Sequence, residues 1–556
     1  MAELLTAPRW TELMYRPVGG QDHLGVGSVV TDRILPTLSP GINVLTPHPR
    51  YWSFYAFVVD EFWQRDLPRT GPSLRRFLRR REAIFSAGGH LCSGPEHRAT
   101  PIGSRRVAPL VQSGPRSYQA DFDYMKSTGG GYSLYYATVM QAMGVVRLAD
   151  KGLGLPVDTV TPGIGKQLAD SFRDSISGTR YWKKYFDADL VPAAVVEEYG
   201  NAACLCRVQS DTPDREPLVD AFLHGGHLEP AAARRTTLQM FLELAHQTRE
   251  VGLNQDDFRR LVLYQSTYDP QTEHEVATFS PTNELLSVSR RWRLSQLREM
   301  FNWSLNGMWQ WVADWGIGRN GDVFAIAVDD LFVAVESAAL EALPGLRSKM
   351  TDPISVLVDE CRTLSSTTDS LDGRWELWTD LTEDQLFGWS RDSELDDATR
   401  LAALFLLYVL CLARLWDPSL PQSIGAEDWS PVREGGARRI GMQFALDQLR
   451  RDAEDGVSVK RVIRRVIEQH VVAQHERVAL AKLPEDTFRF RRESERLRFA
   501  PMPTAFQRND SRFNALSTAC AELGWSGFFA DDGHGLSPEG EILRIHGDLA
   551  APGATQ

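Results

Sequence analysis

Two distant stretches of this chain carry the same punctuation. Arg512 to Leu543 reads RFNALSTACAELGWSGFFADDGHGLSPEGEIL, and Tyr132 to Leu168 echoes it. With Gly524 aligned to Gly144, Leu516, Ala519, Cys520 and Leu523 fall opposite Tyr136, Val139, Met140 and Met143. Both sets follow the i, i+3, i+4, i+7 spacing of one helix face. A glycine closes each run, where a left-handed backbone ends a helix without steric cost. An apolar residue follows, Trp525 or Val145, then a loop rich in Gly and Asp, then Ser537-Pro538 or Thr161-Pro162. Ser or Thr before Pro predicts a helix start: the hydroxyl caps open N–H groups, and Pro at the first position gives up no hydrogen bond. The copies also differ: Gly540 lies three residues past Ser537, and Gly165 four past Thr161.

Helix, Gly, apolar residue, loop, Ser/Thr-Pro, then Gly and Leu resembles the second half of MarR-type winged-helix regulators. The resemblance covers about forty residues in each place and implies a recognition helix, a β wing and a closing helix. The residues themselves argue against base reading. A recognition helix needs Arg, Lys, Asn or Gln at base edges and basic neighbours at phosphates. Tyr132 to Met143 carries no charge, and Arg512 to Leu523 offers Arg512 and Asn514 beside Glu522. Such units are expected to dock proteins.

Length, 556 residues, predicts two to four domains. The divisions expected are an N-terminal helical domain over 1–187 ending in a winged-helix-like unit, a central helical domain over 188–395, a helical spine over 396–483, and a hairpin plus winged-helix-like unit over 484–548. The fold class expected is mainly α, a multi-domain helical body. A net charge of -12 sets general nucleic-acid affinity aside as the default. Six scattered cysteines fit a reducing cytoplasm better than a disulfide scaffold. The N-terminus MAELLTAPRW lacks the layout of a signal peptide. The most apolar run, Leu401 to Trp416, is shorter than the ~20 residues a membrane span needs and contains Arg414, so it predicts a buried helix. Abundant Arg over Lys suggests a bacterial gene of high GC content.

Along the chain, Leu24–Val30 reads as a strand or an irregular cover. Tyr51 to Trp63 sets seven aromatics in thirteen residues, on every face of a helical wheel, and so predicts a buried helix. Ser73 to Phe85 is amphipathic, with Arg75, Arg76, Arg79 and Arg80 opposite Leu74, Phe77, Leu78, Ile84 and Phe85. With Arg105 and Arg106 it forms the most basic neighbourhood of the chain, the place expected to meet phosphate; Arg512 is the further candidate for nucleic-acid contact. The alternative is a solvated face paired with acids from elsewhere. Gly-rich Ser127–Tyr132 reads as a flexible entry to the first repeat. Cys204, Cys206, His224 and His227 invite a zinc reading, but C-x-C spacing makes side chains diverge, so metal is not assigned. Arg290 to Ile317 predicts one long helix apolar on two sides, and Val459 to Leu483 another that carries His470 and His475, five residues apart and read as core. Asp486 to Phe499 alternates with period two and predicts a β-hairpin. Residues 364–396 read as a connecting segment, and the tail past Asp548 as disordered.

The sequence carries no GxSxG, HExxH, CxxC or Walker pattern. No catalytic residue, metal or cofactor is therefore assigned. The function expected is a non-catalytic helical scaffold or adaptor in a bacterial multi-protein assembly acting on or near DNA, with partners among other subunits of its gene cluster, DNA as a further partner, and no membrane. Tyr51–Trp63 and Gln474–Phe490 resemble, faintly, uncharacterised proteins of bacterial defence clusters. The alternatives are a metal-dependent nuclease or phosphoryl-transfer enzyme using Asp329, Asp330 or Asp359, and a winged-helix DNA-binding regulator.

Overall fold

The computed structural model describes residues 22–549, apart from 95–97, 210–211, 270–271, 273, 321–324, 365–370, 376–380, 436–439, 484–486, 501–505 and 507. It is mainly helical, with short antiparallel strand pairs. The tail beyond residue 549 lies outside the described residues. The chain forms two compact units, each drawn from three separate stretches: 1–35, 262–274 and 289–509 in one, 36–261, 275–288 and 510–556 in the other.

The second of these units is organised on the aromatic helix Arg50–Gln64, buried from Arg50 to Phe62. Its rings pack on every side, as the wheel predicts. Phe54 stacks on Phe85 with centroids 4.1 Å apart, Phe57 meets Phe172 at 5.4 Å, and Tyr51 meets Tyr136 at 4.9 Å. At the head of this helix the fully buried Arg50 pairs with the fully buried Asp214 at 3.1 Å. Ser53 and Ser175 also donate to Asp214, at 2.7 and 3.2 Å, so the buried carboxylate is fully engaged.

The two repeated stretches fold alike. In each, the helix ends at a left-handed glycine, Gly144 or Gly524. The next N–H, Val145 or Trp525, reaches back to Met140 O or Cys520 O, both at 2.8 Å, and the glycine N–H reaches Gln141 O or Ala521 O at 3.0 or 3.1 Å. The chain then turns back on itself: in the first copy Val146–Arg147 pairs with Thr159–Val160, and in the second Ser526 forms a single antiparallel bridge with Leu536. Thr161 N and Ser537 N both return to the carbonyl after the glycine, Val145 O and Trp525 O, at 3.0 Å. The difference in spacing after the capping residue is absorbed in the cap. Thr161 Oγ1 accepts from Gly165 N at 3.0 Å, and Ser537 Oγ accepts from Gly540 N at 3.1 Å. Both capped glycines lie on that same carbonyl, so close that a Cβ would sit 2.0 Å from Val145 O or from Trp525 O.

Between the copies runs the helix Arg215–His224. Its first residue donates to Leu523 O at 2.7 Å and pairs with Glu539 at 2.6 Å. Just past its end, Gly225 and Gly226 press on the Met143 and Ala142 carbonyls. The Gly-rich entry is not a loose tether. Gly131 N–H donates to the buried Glu82 carboxylate at 2.8 and 3.1 Å, and a Cβ on Gly131 would strike Ile102 and Glu82. The glycines are there because the backbone wraps a buried acid.

The other unit is built on the helix Leu286–Asn320, whose tryptophans Trp303, Trp309, Trp311 and Trp315 enter one continuous core. Gly307 lets the buried helix Asp397–Ala413 approach: a Cβ there would lie 2.2 Å from Leu404. Arg414, which interrupts the apolar run, pairs with buried Glu383 at 2.7 Å. Val459–Ala481 is one helical rod with a wider π turn over Val466–Val472. The hairpin Phe490–Glu493 with Arg496–Phe499 forms as the alternation predicts, and Ala325–Ala327 adds a third antiparallel strand that its short apolar run did not announce. Leu24–Val30 is helical from Gly27 rather than a strand, with Leu24 and Val26 in the core. Within the expected connecting segment, Glu383–Trp389 is a helix with a full capping box at Thr382.

The glycine contact sets a stability test. Gly540→Ala should destabilise the protein by about 2 kcal/mol or more in denaturant titration, because the carbonyl it meets is held by Ser537 N–H and cannot retreat. Gly178→Ala, where an added Cβ would meet open space, should change stability by less than about 0.5 kcal/mol.

Candidate anion-binding groove

The arginine helix is Gly71–Leu91. Thr70 caps it by accepting from Ser73 N, and Pro72 sits in its first turn. Leu74, Phe77, Leu78, Ile84 and Phe85 are buried, which turns the arginines outward. Facing them is the segment Asp121–Thr128. Together they bound an open groove of about 570 Å³, lined by Arg75, Arg76, Arg79, Arg80 and Lys126 with Asp121, Asp123, Phe122 and Met125. Five cations against two carboxylates leave the groove positive on an acidic chain.

The cations divide by partner. Arg79 donates to the Met125 and Ser127 carbonyls, lies over the Tyr124 ring at 5.0 Å, and faces Asp123 at 3.7 Å. Arg80 pairs with Asp189 at 2.7 Å and donates to Ala188 O at 3.1 Å. Arg106 pairs with Asp123. These three hold the groove wall in place. Arg75 is half-buried and Arg76 exposed, and among the described residues neither makes an ion pair. Two guanidinium groups are thus left to meet an anion. Beneath the wall, burial pushes the Glu82 carboxyl up to about 7, although Gly131 N–H and the Tyr55, Tyr132 and Tyr124 groups around it favour the ionised form.

Of the other residues expected at a nucleic-acid surface, Arg105 is exposed beside Arg106 on the helix Ser104–Gln112. Arg512 is elsewhere. It is 7% exposed, has a left-handed backbone, and donates to Ser39 O and Ser39 Oγ at 3.0 Å each. It fastens the start of the second repeat's first helix and does not present charge outward. Which acids pin the wall is not legible in the sequence, because Asp123 comes from a segment that folds back over the helix and Asp189 lies 109 residues beyond Arg80.

The residues considered for metal or acid–base chemistry are also placed. Asp329 and Asp330 are exposed on the first turn of Val328–Glu336, and Asp359 is exposed on another helix, Ile354–Leu364. His470 is buried, its imidazolium disfavoured to about 4 by desolvation. His475 is a core staple: Nε2 accepts from Arg489 N at 2.9 Å, Nδ1 donates to His23 O at 3.2 Å, and burial lowers its pKa to about 3. His224 sits against Asp548 and Arg235, apart from Cys204 and Cys206. The group of potential metal ligands among the described residues is instead Cys92, Cys204 and Cys206. Gly316-Ile-Gly-Arg-Asn-Gly321 matches G-x-G-x-x-G in letters, but it ends a helix rather than opening one after a strand, so it lacks the dinucleotide context. Gly316 is small because Phe499 lies against it.

Compared with family models, with curated proteins and with solved structures, the chain shows no match.

The groove makes a direct prediction. If nucleic acid binds here, the double variant Arg75→Ala/Arg76→Ala lowers affinity equally for unrelated sequences and reduces the slope of log K against log salt by about two, read by fluorescence anisotropy. Arg512→Ala leaves that slope unchanged. An unaltered slope in the double variant would move the contact elsewhere.

Proposed function

We propose that this protein is a non-catalytic helical adaptor of a bacterial multi-protein assembly that acts on or near DNA, with a place in defence. The observation that carries this reading is the uncharged outer face of the first repeat's helix, Tyr132–Ala142. Ser133, Leu134, Thr138 and Gln141 are exposed on its helix, and Leu134 is 53% exposed. At the tip of its wing Leu153 is 72% exposed. Along that helix a unit that decodes DNA sets basic side chains among its amides; a protein-docking unit turns out neutral and apolar ones. In the second repeat the corresponding helix, Phe513–Glu522, is buried along nearly its whole length, which fits a packing role. The partners this reading calls for are other subunits of the same gene cluster.

A second reading has its own support. The two guanidinium groups left over at the arginine groove suit a phosphate backbone, so the adaptor would also touch nucleic acid without reading its sequence.

The test is reconstitution. Mixed with the products of neighbouring genes, the full chain is expected to form a stoichiometric complex that survives size-exclusion chromatography. Leu134→Asp with Leu153→Asp is expected to break it while circular dichroism stays unchanged. Metal-dependent cleavage of nucleic acid by the isolated protein, lost in Asp329→Ala, would contradict the adaptor reading.

A further inference from the structure

The arginine helix Gly71–Leu91 and the helix Ala193–Ala203 touch backbone to backbone. A Cβ on Gly88 would lie 3.0 Å from Gly200 Cα, and one on Gly200 would lie 2.0 Å from Gly88 O. One helical turn beyond each glycine comes a cysteine, Cys92 after Gly88 and Cys204 after Gly200. The crossing therefore delivers both thiols to one corner, and the turn Leu205–Gln209 brings in Cys206. The three Sγ atoms all lie within 4.8 Å of one another, and Cys92 Sγ and Cys206 Sγ are 3.7 Å apart.

We propose that Cys92, Cys204 and Cys206 form a three-thiolate site for a thiophilic divalent cation of the zinc class. Tetrahedral Zn–S bonds of ~2.3 Å place neighbouring sulfurs about 3.8 Å apart, close to the separation seen and far from the ~2.05 Å of a disulfide. The surroundings suit bound thiolates. Gly94 N–H donates to Cys92 Sγ at 3.4 Å, a contact that favours the charged sulfur. Gly94 itself is wedged against both outer sulfurs: a Cβ there would be 3.1 Å from Cys206 Sγ and 3.4 Å from Cys92 Sγ. Asn201 Oδ1 accepts from Ser93 N and Ser93 Oγ, both at 3.0 Å, and so fixes the segment that carries Cys92. Arg50 Nη1 donates to Cys204 O at 2.5 Å, and the Arg207 guanidinium stands beside Gly94. The Arg207 guanidinium offsets the single negative charge that three thiolates and a dication carry together, the Arg50 charge being taken up by Asp214. Binding takes three S–H protons to solvent and makes three S–metal bonds, with no change of oxidation state. Cys204 is the most buried of the three, while Cys92 and Cys206 are partly exposed, which leaves the fourth coordination position on the open side. The metal would clamp the end of the arginine helix to the Arg50–Asp214 cluster.

The test uses the full-length protein purified in reductant without chelator. Elemental analysis is expected to find about one zinc per chain. Exchange into cobalt(II) is expected to give thiolate-to-cobalt charge-transfer absorption in the near ultraviolet, together with the d–d bands of a tetrahedral ion. Cys206→Ser should abolish the charge-transfer band and the bound zinc, and Cys361→Ala, with its thiol in the other unit, should keep both. Absence of cobalt–thiolate absorption in the wild-type protein overturns the proposal. So does a Cys92–Cys206 disulfide found by mass spectrometry in protein purified without reductant. The wild-type spectrum decides the matter even if Cys206→Ser fails to fold.

Discussion

A glycine resting on a carbonyl oxygen governs each repeated unit. Val145 O and Trp525 O accept the returning strand's N–H, and on the other side they touch a glycine at the start of the closing helix. A side chain at that glycine would hold the closing helix off. With it absent, the closing helix packs in: Ile164–Ile176 lies along the aromatic helix, and Pro538–His546 lies along Leu228–Gln247. The rest of the unit inherits its arrangement from these joints. The helix Arg215–His224 bridges them, gripping one copy through Arg215 and the other through its terminal glycines. The same device recurs where Gly88 crosses Gly200, and there it brings three thiols together.

Charge does two jobs in the same unit. Inside, Arg50 with Asp214 fixes where buried elements meet, since removing one partner leaves a charge without compensation. Outside, acids from two loops quench most of the arginine helix, and Arg75 with Arg76 remains. The sequence shows a helix bristling with positive charge; after pairing, the surplus narrows to one groove.

Much of the fold was legible because it rests on local pattern. The aromatic crowding of Tyr51–Trp63, the two-sided stripe of Arg290–Ile317 and the alternation before Phe499 each predict their element. The repeat was legible through its glycines and Ser/Thr-Pro starts, and the structure explains the spacing mismatch by a one-residue difference in the cap. What escaped depends on contacts between distant segments. In the sequence the potential ligands nearest Cys204 and Cys206 are His224 and His227, whereas the thiol that space brings to them is Cys92, more than a hundred residues away. A signal for it did exist, since Gly-x3-Cys occurs at Gly88–Cys92 and again at Gly200–Cys204. Arg512 looked available because nothing in its neighbourhood reveals Ser39 as its acceptor. The three-part construction of each unit leaves no trace in composition at all.

Amide hydrogen exchange across Phe513–Glu522 tests the central claim, that the second repeat's first helix is a packing element and not a reader of DNA. Its amides are expected to be among the slowest in the chain, and duplex DNA is expected to leave them unchanged. Rapid exchange that duplex DNA slows would contradict the account.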